Sequence, residues 1–386
     1  MTSNAKQHDN DRRWMRAALA EARKAEGRTG ENPPVGCVLV SCENHLIAAG
    51  HTKDAGRPHA ETVALAAAER AGCAEYLKGA TAYVTLEPCA HHGQTPPCAE
   101  ALRDKGIARL VYALDDPDDR VNGRGLACLR AAGVEISPPL MSEDASLITS
   151  GFVSKLLKKR PFFTSKIASS SDGFIAKHQN QQYWLTGDVS RRFVHDLRSR
   201  VDAIITGIGT VLADDPLMTC RIPSVGWQPH RIILDRGVRL PLSSRLVHST
   251  SVSPVLLVHG DGADVADVRA LSAAGVDTIC VAGDHILEEL PSILARRGYQ
   301  HVLIEAGRKI NNSFHEAGLI DRIYWLKSRE ILKYGVPAFG AGQQAGGINS
   351  DIAMDFGPTE TYVKTWERPL GEDQLTCWHP CIPPLS

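Results

Sequence analysis

The chain of 386 residues lacks the features that mark several protein classes. Its net charge is only −1 at pH 7, which argues against binding to nucleic acid or to an anionic membrane through a broad positively charged surface. No apolar run approaches the roughly 20 residues of a membrane span. The first residues contain neither an apolar core nor a cleavage-site pattern, so we expect no secretory signal. We therefore expect a cytoplasmic protein without nucleic-acid or membrane partners.

Cysteine is present, but without a disulfide pattern. The ten cysteines are scattered rather than regularly spaced, which disfavours a disulfide framework in a chain of this size. Hydrophobic residues make up 43% and charged residues 23%, as in ordinary globular proteins. The length suits two domains better than one compact core.

Helix and strand patterns alternate along both halves of the chain, which predicts an α/β protein. A break rich in proline at 137–144 separates the halves, and we expect domains at 1–147 and 148–386. From Pro161 many short apolar strands alternate with helices, which predicts a mostly parallel, covered sheet. The tail at 376–381 carries metal-capable side chains but no second ligand pair, and we expect a loose terminal segment there.

His59 and Glu61 stand at the predicted start of a helix, directly after Pro58. Proline is tolerated at a helix start and not inside a helix. In mid-helix, residues two apart point about 200° away from each other, whereas both could face one site from a first turn. The H-x-E pattern alone is common and carries little weight.

Two cysteines give this pattern a partner. Cys89 and Cys98 are separated by eight residues, and a proline precedes each of them. Cys98 stands where a helix should start, and a helix N-terminus favours a thiolate. With His59, the two sulfurs form a set that suits zinc and leaves the fourth tetrahedral position for water. Glu61 is then free to carry protons, as in zinc deaminases.

Other interpretations of these residues stay open at this point. Either cysteine alone is more often a small core residue than a ligand. A structural zinc site would need four protein ligands, and His91 or His92 could supply the fourth. In the catalytic interpretation these two histidines contact the substrate, support the ligands or lie in a solvated loop.

The segments "NPPVGCVLV", "PHAE", "AYVTLEPCAHHGQTPPC" and "DDPDDRVNGRG" resemble the deaminase half of the bacterial bifunctional riboflavin-biosynthesis deaminase–reductases. The resemblance implies a cytidine-deaminase-like three-layer domain that acts on 2,5-diamino-6-ribosylamino-4(3H)-pyrimidinone 5′-phosphate. It implies that His59, Cys89 and Cys98 bind zinc and that Glu61 is the proton shuttle. Asn32 would contact the pyrimidine, and the loop near Asp116 the sugar phosphate. Gln94 and Asp118 depart from the family's usual residues.

The second half resembles the reductase half of the same family. "SKIASSSDGFIA", "TGIGTVLADDPLMTCR", "HRIILD" and "EAG" occur in the family's order. The resemblance implies a dihydrofolate-reductase-like α/β domain in which NADPH reduces the ribosyl group to a ribityl chain. It assigns to NADPH the residues Ala168, Trp184, Thr210, Asp214 and Gly307. It assigns to the substrate the residues Gln182, Arg198, Met218, Arg221 and Glu305.

Without the resemblance, the glycines of "TGIGTV" are only a weak sign of phosphate binding. The second half departs from the family pattern at Ser171, Gln182, Arg308 and in "LKSREIL" (326–332). Two alternatives therefore stay open. The reductase domain could be degenerate or differently specific, or the chain could be a zinc-stabilised module that binds a nucleotide or flavin precursor without turnover. The family also implies a dimer or tetramer.

Overall fold

The computed structural model describes residues 3–91, 96–178, 184–283, 286–338 and 361–381. It divides into two compact units, Met1–Arg160 and Pro161–Ser386. No helix among the described residues is long and apolar enough to span a membrane.

The first unit is a five-stranded sheet between two layers of helices. Its strands are β1 (Gly36–Val40), β2 (Leu46–His51), β3 (Thr81–Val84), β4 (Arg109–Tyr112) and β5 (Glu135–Ile136). Its helices are α1 (Ser3–Arg23), α2 (Ala60–Arg70), α3 (Cys98–Asp104), α4 (Arg124–Ala131) and α5 (Ser142–Lys158). The strand order is β2-β1-β3-β4-β5, in which β1 is antiparallel to both neighbours and β3, β4 and β5 are parallel.

Glycines let the helices of this unit approach the sheet closely. A Cβ at Gly36 in β1 would come within 1.9 Å of the Ala18 carbonyl oxygen in α1. A Cβ at Gly50 in β2 would come within 2.6 Å of the Ala64 backbone nitrogen in α2. The buried side of α2 is correspondingly small, with alanines at 60, 64 and 68. This close packing fixes the position of the helix start that carries His59 and Glu61.

The structure divides the chain at 160/161, whereas the sequence places the boundary at 147/148. The earlier position lies inside α5. Ala145 and Ile148 of this helix pack in one hydrophobic cluster with Trp14 of α1 and Val38 of β1. Helix α5 therefore covers the first unit's sheet instead of opening the second unit.

The second unit is built around a nine-stranded sheet. The strands in its half of the chain are β6 (Phe162–Ser169), β7 (Phe174–Ala176), β8 (Ala203–Gly207), β9 (His230–Leu234), β10 (Val255–His259), β11 (Asp277–Cys280), β12 (His301–Ile304), β13 (Arg322–Lys327), β14 (Val336–Pro337), β15 (Tyr362–Leu370) and β16 (Asp373–Pro380). Its helices are α6 (Asp188–Arg198), α7 (Ile208–Asp214), α8 (Arg245–His248), α9 (Val265–Ala273), α10 (Ile286–Arg296) and α11 (Arg308–Glu316). The sheet order is β11-β10-β9-β8-β12-β6-β13-β16-β15, and β7 pairs separately with β14.

The seven strands from β11 to β13 are parallel, which confirms the predicted parallel, covered sheet. One face packs against α10 and α11 through Leu290, Leu294 and Phe314. The other packs against α6 and α7 through Leu197 and Val211. Two antiparallel strands, β16 and β15, extend the sheet beyond β13.

The expectation of a loose tail at 376–381 is wrong. Thr376 pairs with Trp325 of β13, and Cys377 pairs with Tyr324. Both tail residues are buried. The edge of β13 leaves backbone groups that need hydrogen-bond partners, and the tail supplies them as strand β16.

Candidate active sites

Three side chains predicted to bind zinc meet in the first unit. His59 is the residue before α2, Cys98 is the first residue of α3, and Cys89 lies in the loop after β3. His59 Nδ1 lies 3.6 Å from Cys89 Sγ and 3.4 Å from Cys98 Sγ. The Cys98 backbone amide also donates to Cys89 Sγ, at 3.4 Å. Residues 30 and 39 positions apart thus present one nitrogen and two sulfurs to a common point.

The chemistry of this donor set fits zinc. Its three ligand atoms all lie within 4.8 Å of one another. A hydrogen bond from the Cys98 thiol is the largest influence on Cys89 and lowers its pKa to about 4, so that this sulfur is a thiolate. One imidazole nitrogen and two sulfurs suit Zn²⁺, and three protein ligands leave one tetrahedral position open.

His91 does not join the three ligands. Among the described residues, the group that could hold a metal consists of His59, Cys89 and Cys98 alone. His91 instead lines the pocket beside them, with Nδ1 buried and without a hydrogen-bond partner in the described chain. His92 and Gln94 lie outside the described residues. Within the described part of the chain the geometry therefore gives three ligands.

Glu61 is buried next to the ligand cluster. Only 3% of the residue is exposed. The pKa of Glu61 is raised to about 7. Burial is the largest cause, and the negative charge of the Cys89 thiolate is the next. A carboxyl group with a pKa near neutral can both accept and release a proton under ordinary conditions.

The pocket around the ligands also contains the predicted pyrimidine contact, Asn32. Its lining residues are Glu31, Asn32, Pro33, Val35, Thr52, His59, Glu61, Leu86, Glu87, Cys89, His91, Asp116, Asp118, Arg120, Val121 and Phe152. Gly56 makes room for Asn32, since a Cβ there would come within 2.2 Å of the amide nitrogen Nδ2. Gly56 also has a φ of +85°, a second reason for glycine at this position.

Glu87 organises the far wall of the pocket, a role that the sequence analysis missed. Its buried carboxylate accepts hydrogen bonds from the amides of Gly123 at 2.9 Å, Gly125 at 3.0 Å and Leu126 at 3.3 Å. A fourth, longer contact of 3.5 Å reaches the amide of Asp116. The signal available in the sequence was a charged residue in "TLEPC", between an apolar strand and a predicted ligand.

Asp116 lies in the loop that Glu87 holds. Burial, the largest cause, raises the pKa of Asp116 to about 6, and the negative charge of Asp118 also raises it. The carboxylate nevertheless accepts a hydrogen bond from the Asp118 amide at 2.9 Å. The loop predicted to contact the sugar phosphate therefore does line the pocket.

In the second unit, the carboxyl ends of β8 and β12 form a topological switch point. After β8 the chain continues to β9, which lies on the β8 side of this point. After β12 the chain continues to β13, which lies on the opposite side, beyond β6. Open α/β sheets bind ligands in the crevice outside such a point. Gly207 ends β8, and Gly307 lies three residues after the adjacent parallel strand β12 and immediately precedes α11.

The residues at this edge fit a phosphate-bearing coenzyme such as NADPH. Gly307 caps α11 without a side-chain hydrogen bond, and no atom lies within 4 Å of where its Cβ would stand. A phosphate can therefore reach the helix amides directly. Thr206 Oγ1 is buried at the end of β8 and has no partner within the described residues. Gly207 has a packing role, since a Cβ there would come within 2.9 Å of Ile310 Cγ1.

The predicted substrate residues Arg198 and Glu305 contact each other. Arg198 Nε lies 2.6 Å from Glu305 Oε1, and Nη2 lies 2.9 Å from Oε2. Arg198 Nη1 also donates to the Thr219 carbonyl oxygen at 3.0 Å, next to buried Met218. Burial raises the pKa of Glu305, but Arg198 and Lys166 outweigh it and hold the pKa at about 2.

Lys166 and His195 complete this cluster, and the sequence analysis missed both. Lys166 Nζ lies 3.6 Å from Glu305 Oε2 and its charge also acts on Asp214. His195 Nδ1 accepts a hydrogen bond from the Arg221 amide at 3.2 Å. Burial, and then the charges of Arg198 and Arg221, lower the pKa of His195 to about 4. The available signals were a lysine inside an apolar strand and a histidine three residues before Arg198.

The remaining residues predicted to bind NADPH or the substrate in this half lie on several different elements. Ala168 lies near the end of β6, and Thr210 lies on α7 with Asp214 at its last position. Trp184 is 65% exposed, with the Arg191 guanidinium 5.7 Å from its ring centroid. Gln182 lies outside the described residues.

Comparisons with known proteins agree with this division. The family model described as "Cytidine and deoxycytidylate deaminase zinc-binding region" matches residues 8–114. The model described as "RibD C-terminal domain" matches residues 161–326. The expected fold class, a cytidine-deaminase-like domain followed by a dihydrofolate-reductase-like α/β domain, is confirmed.

Relatives and solved structures match over most of the chain. The riboflavin biosynthesis protein RibD of Aquifex aeolicus is 35% identical over 84% of this chain and 89% of its own. The Escherichia coli RibD is 34% identical over 81% and 86%.

Among the solved structures, Acinetobacter baumannii RibD has a TM-score of 0.80 at 32% identity, covering 97% of this chain and 99% of its own. The Thermotoga maritima diaminohydroxyphosphoribosylaminopyrimidine deaminase/5-amino-6-(5-phosphoribosylamino)uracil reductase has a TM-score of 0.82 at 31% identity, covering 97% and 100%. Because both family models match and a RibD relative is 35% identical over 84% of this chain, the chain belongs to the RibD family of riboflavin biosynthesis proteins.

Proposed function

We propose that this chain, a bifunctional deaminase and reductase of riboflavin biosynthesis, performs its two reactions at the two sites described above. The first unit deaminates 2,5-diamino-6-ribosylamino-4(3H)-pyrimidinone 5′-phosphate. The second unit then reduces the ribosyl group of 5-amino-6-(5-phosphoribosylamino)uracil to a ribityl chain with NADPH. The observation that carries the proposal is the meeting of His59, Cys89 and Cys98, beside a pocket that His59, Cys89 and buried Glu61 line.

In the deaminase site, His59 Nδ1 and the sulfurs of Cys89 and Cys98 bind zinc. Zinc held by these residues would supply a Lewis acid that makes water more acidic. Glu61 accepts a proton from the attacking water and returns it to a ring nitrogen or to the departing ammonia. Asn32 orients the pyrimidine, and the loop around Asp116 faces the sugar phosphate.

In the reductase site, the carboxyl edge of the sheet binds the coenzyme. Ala168, Trp184, Thr210, Asp214 and Gly307 contact NADPH, which supplies the hydride. Gln182, Met218 and Arg221 contact the substrate together with the Arg198–Glu305 pair. Glu305 and the Thr219 carbonyl oxygen already accept hydrogen bonds from the Arg198 guanidinium. Arg221 is therefore more available than Arg198 to bind a phosphate.

The deaminase assignment is tested by Glu61→Gln, which keeps the size of the side chain and removes its ability to carry a proton. We expect ammonia release to fall by at least about 100-fold while about one zinc per chain is retained. Glu69→Gln is the matched control, since Glu69 lies exposed on the same helix. Ammonia release at the wild-type rate by the Glu61→Gln variant would refute the mechanism.

The coenzyme assignment is tested by Gly307→Ala. The alanine Cβ meets no protein atom within 4 Å, so the variant should fold, but the methyl group obstructs the approach of a phosphate. We expect the dissociation constant of NADPH, measured by fluorescence titration, to rise about tenfold or more. Gly226→Ala, at a position with equally open surroundings, is the control. Unchanged NADPH binding in Gly307→Ala would remove this helix start from the site.

Turnover in the second unit has its own assay. The wild-type chain should oxidise NADPH when given the deaminated substrate. Coenzyme that binds and is not oxidised would instead indicate a degenerate reductase or a binding module.

The oligomeric state and cell compartment belong to the same proposal. We place the chain in the cytoplasm, since all ten cysteines are free and thiolate ligands need a reducing environment. We expect a homo-oligomer, as the family implies. Light scattering of the purified chain and cell fractionation test these two points, and a monomer or a secreted chain would contradict them.

A further inference from the structure

The deaminase pocket is strongly acidic for a site that takes a phosphorylated substrate. Five carboxylate side chains line it: Glu31, Glu61, Glu87, Asp116 and Asp118. Among the described lining residues, Arg120 is the one side chain that is always positively charged. A phosphate dianion would meet repulsion along this wall unless a cation received it.

Arg120 is oriented by Asp118. Its Nε lies 2.9 Å from Oδ1 and 3.0 Å from Oδ2 of Asp118, and its Nη2 also donates to Oδ2. The backbone amide of Arg120 donates to the same carboxylate at 2.9 Å. Asp118 is buried, whereas the Arg120 side chain is 71% exposed. The carboxylate thus fixes one edge of the guanidinium and leaves Nη1 available to a ligand.

The backbone that carries Arg120 is also held in place. Asp116 accepts a hydrogen bond from the Asp118 amide on one side of Arg120. On the other side, buried Glu87 accepts one from the Gly123 amide. A loop anchored at both ends loses little freedom when a ligand binds, which favours affinity.

We propose that Arg120 binds the 5′-phosphate of the deaminase substrate and makes the site selective for the phosphorylated pyrimidine over its nucleoside. A guanidinium matches phosphate oxygens geometrically and stays charged at every relevant pH. The Asp118 pair positions the side chain before the substrate arrives. This inference rests on the proposed deamination in the same pocket.

The test compares Arg120→Ala with Arg124→Ala. Arg124 begins α4, four residues farther along; it is exposed and is not among the residues that line the pocket. For each variant, kcat/KM for ammonia release is measured with the phosphorylated substrate and with the dephosphorylated nucleoside. A hydrogen bond to a charged group contributes about 1.5–3 kcal/mol, or roughly 10- to 150-fold. We expect the preference for the phosphorylated substrate to fall by about this factor in Arg120→Ala and to persist in Arg124→Ala.

Three outcomes would overturn the assignment of Arg120. The preference could survive in Arg120→Ala, or it could fall equally in Arg124→Ala, which would indicate only a general charge effect. A fall in kcat/KM for both substrates with an unchanged preference would likewise show a structural role for Arg120 rather than phosphate binding.

A binding measurement separates this inference from the proposed reaction. Cobalt in place of zinc reports on the first unit alone through its visible absorption, so the Glu61→Gln chain can be titrated with either pyrimidine without turnover. We expect the phosphorylated pyrimidine to bind more tightly than the nucleoside, and Arg120→Ala to abolish the difference. If the wild-type chain released no ammonia while the Glu61→Gln chain showed this binding pattern, the proposed reaction would be refuted and the role of Arg120 retained. Equal affinities with Arg120 present would refute that role.

Discussion

Arg198 and Glu305 form a bidentate ion pair, with Nε–Oε1 at 2.6 Å and Nη2–Oε2 at 2.9 Å. The Arg198 side chain is 13% exposed and that of Glu305 is 8% exposed. The resemblance assigns both residues to the substrate, yet in the structure each contacts the other. The pair therefore holds the guanidinium and the carboxylate in one fixed relative orientation.

Removing one partner of this pair should be costly. Arg198→Ala removes both hydrogen bonds that the buried Glu305 carboxylate receives from Arg198 and leaves Lys166 Nζ at 3.6 Å, and breaking a buried pair typically costs about 3–5 kcal/mol. We expect a loss of this order in the free energy of unfolding of the second unit. Tryptophan fluorescence in urea measures it, since five of the six tryptophans lie beyond residue 161.

The pH dependence of that loss has a definite sign. In the wild type the pKa of Glu305 is about 2, so its stabilising contribution is complete above the unfolded value of about 4.3 and is lost only in strong acid. Without Arg198, burial shifts the pKa upward and favours the protonated form. The variant should therefore lose more stability at pH 8 than at pH 4. Arg191→Ala, on the exposed side of the same helix, is the control. A loss that is independent of pH would contradict the pairing.

The meeting of the three proposed zinc ligands could be predicted because each carries a local signal. His59, Cys89 and Cys98 all follow a proline directly, and His59 and Cys98 also stand at predicted helix starts. The chemistry of zinc then restricts which side chains can combine. The local pattern and the chemistry of zinc ligands together thus predicted that three residues far apart in the sequence meet in space.

The supporting residues could not be predicted in the same way. Glu87 acts on amides 29 to 39 residues away, and these contacts exist only after β3, β4 and α4 have assembled. Lys166 and Glu305 lie on β6 and after β12, strands that become neighbours through the sheet order. Hydrogen bonds from backbone amides and the order of strands in a sheet leave no periodic pattern in a sequence. The division at 160/161 differs from the predicted boundary for a related reason, since the sequence of a helix does not reveal which sheet the helix covers.

Glu87→Gln should damage the deaminase pocket without removing zinc. One carboxylate oxygen accepts from Gly125 and Leu126 and the other from Gly123, so an amide NH₂ group must face at least one donor. A buried unsatisfied group of this kind costs about 1–3 kcal/mol. We expect lower stability of the first unit and a larger rise in KM than fall in kcat, because the loop of Asp116 shifts. Zinc content should equal that of exposed Glu75→Gln, and loss of zinc instead would show that Glu87 supports the ligands.

His301 should make the second unit sensitive to acid. Burial, with a contribution from Arg322, lowers the pKa of His301 to about 3. The unfolded chain, with a pKa of about 6.5, binds the proton first, so stability is complete above pH 6.5 and falls as the pH drops toward 3. His301→Gln should flatten this decline while keeping a hydrogen bond to Thr164 Oγ1, which now lies 2.8 Å from His301 Nε2. Urea titrations between pH 7 and pH 4 test it against exposed His248→Gln, and equal slopes in the two variants would contradict the assignment.

Removing zinc should abolish ammonia release and leave NADPH oxidation unchanged. All three proposed ligands lie in the first unit, whereas the second unit has hydrophobic clusters of its own. A chelator should therefore abolish ammonia release and leave NADPH oxidation with the deaminated substrate intact. Zinc at 100 times its dissociation constant stabilises a folded unit by about 2.7 kcal/mol, so we also expect one of two thermal transitions to move down.

Cysteine variants show whether this effect arises at the proposed site. Cys98→Ser should reproduce the chelated state, whereas Cys42→Ser, at an exposed thiol, should keep both zinc and ammonia release. If chelation stopped NADPH oxidation to the same extent as ammonia release, the two activities would share a metal-dependent element, and the assignment of zinc to the deaminase unit alone would fail.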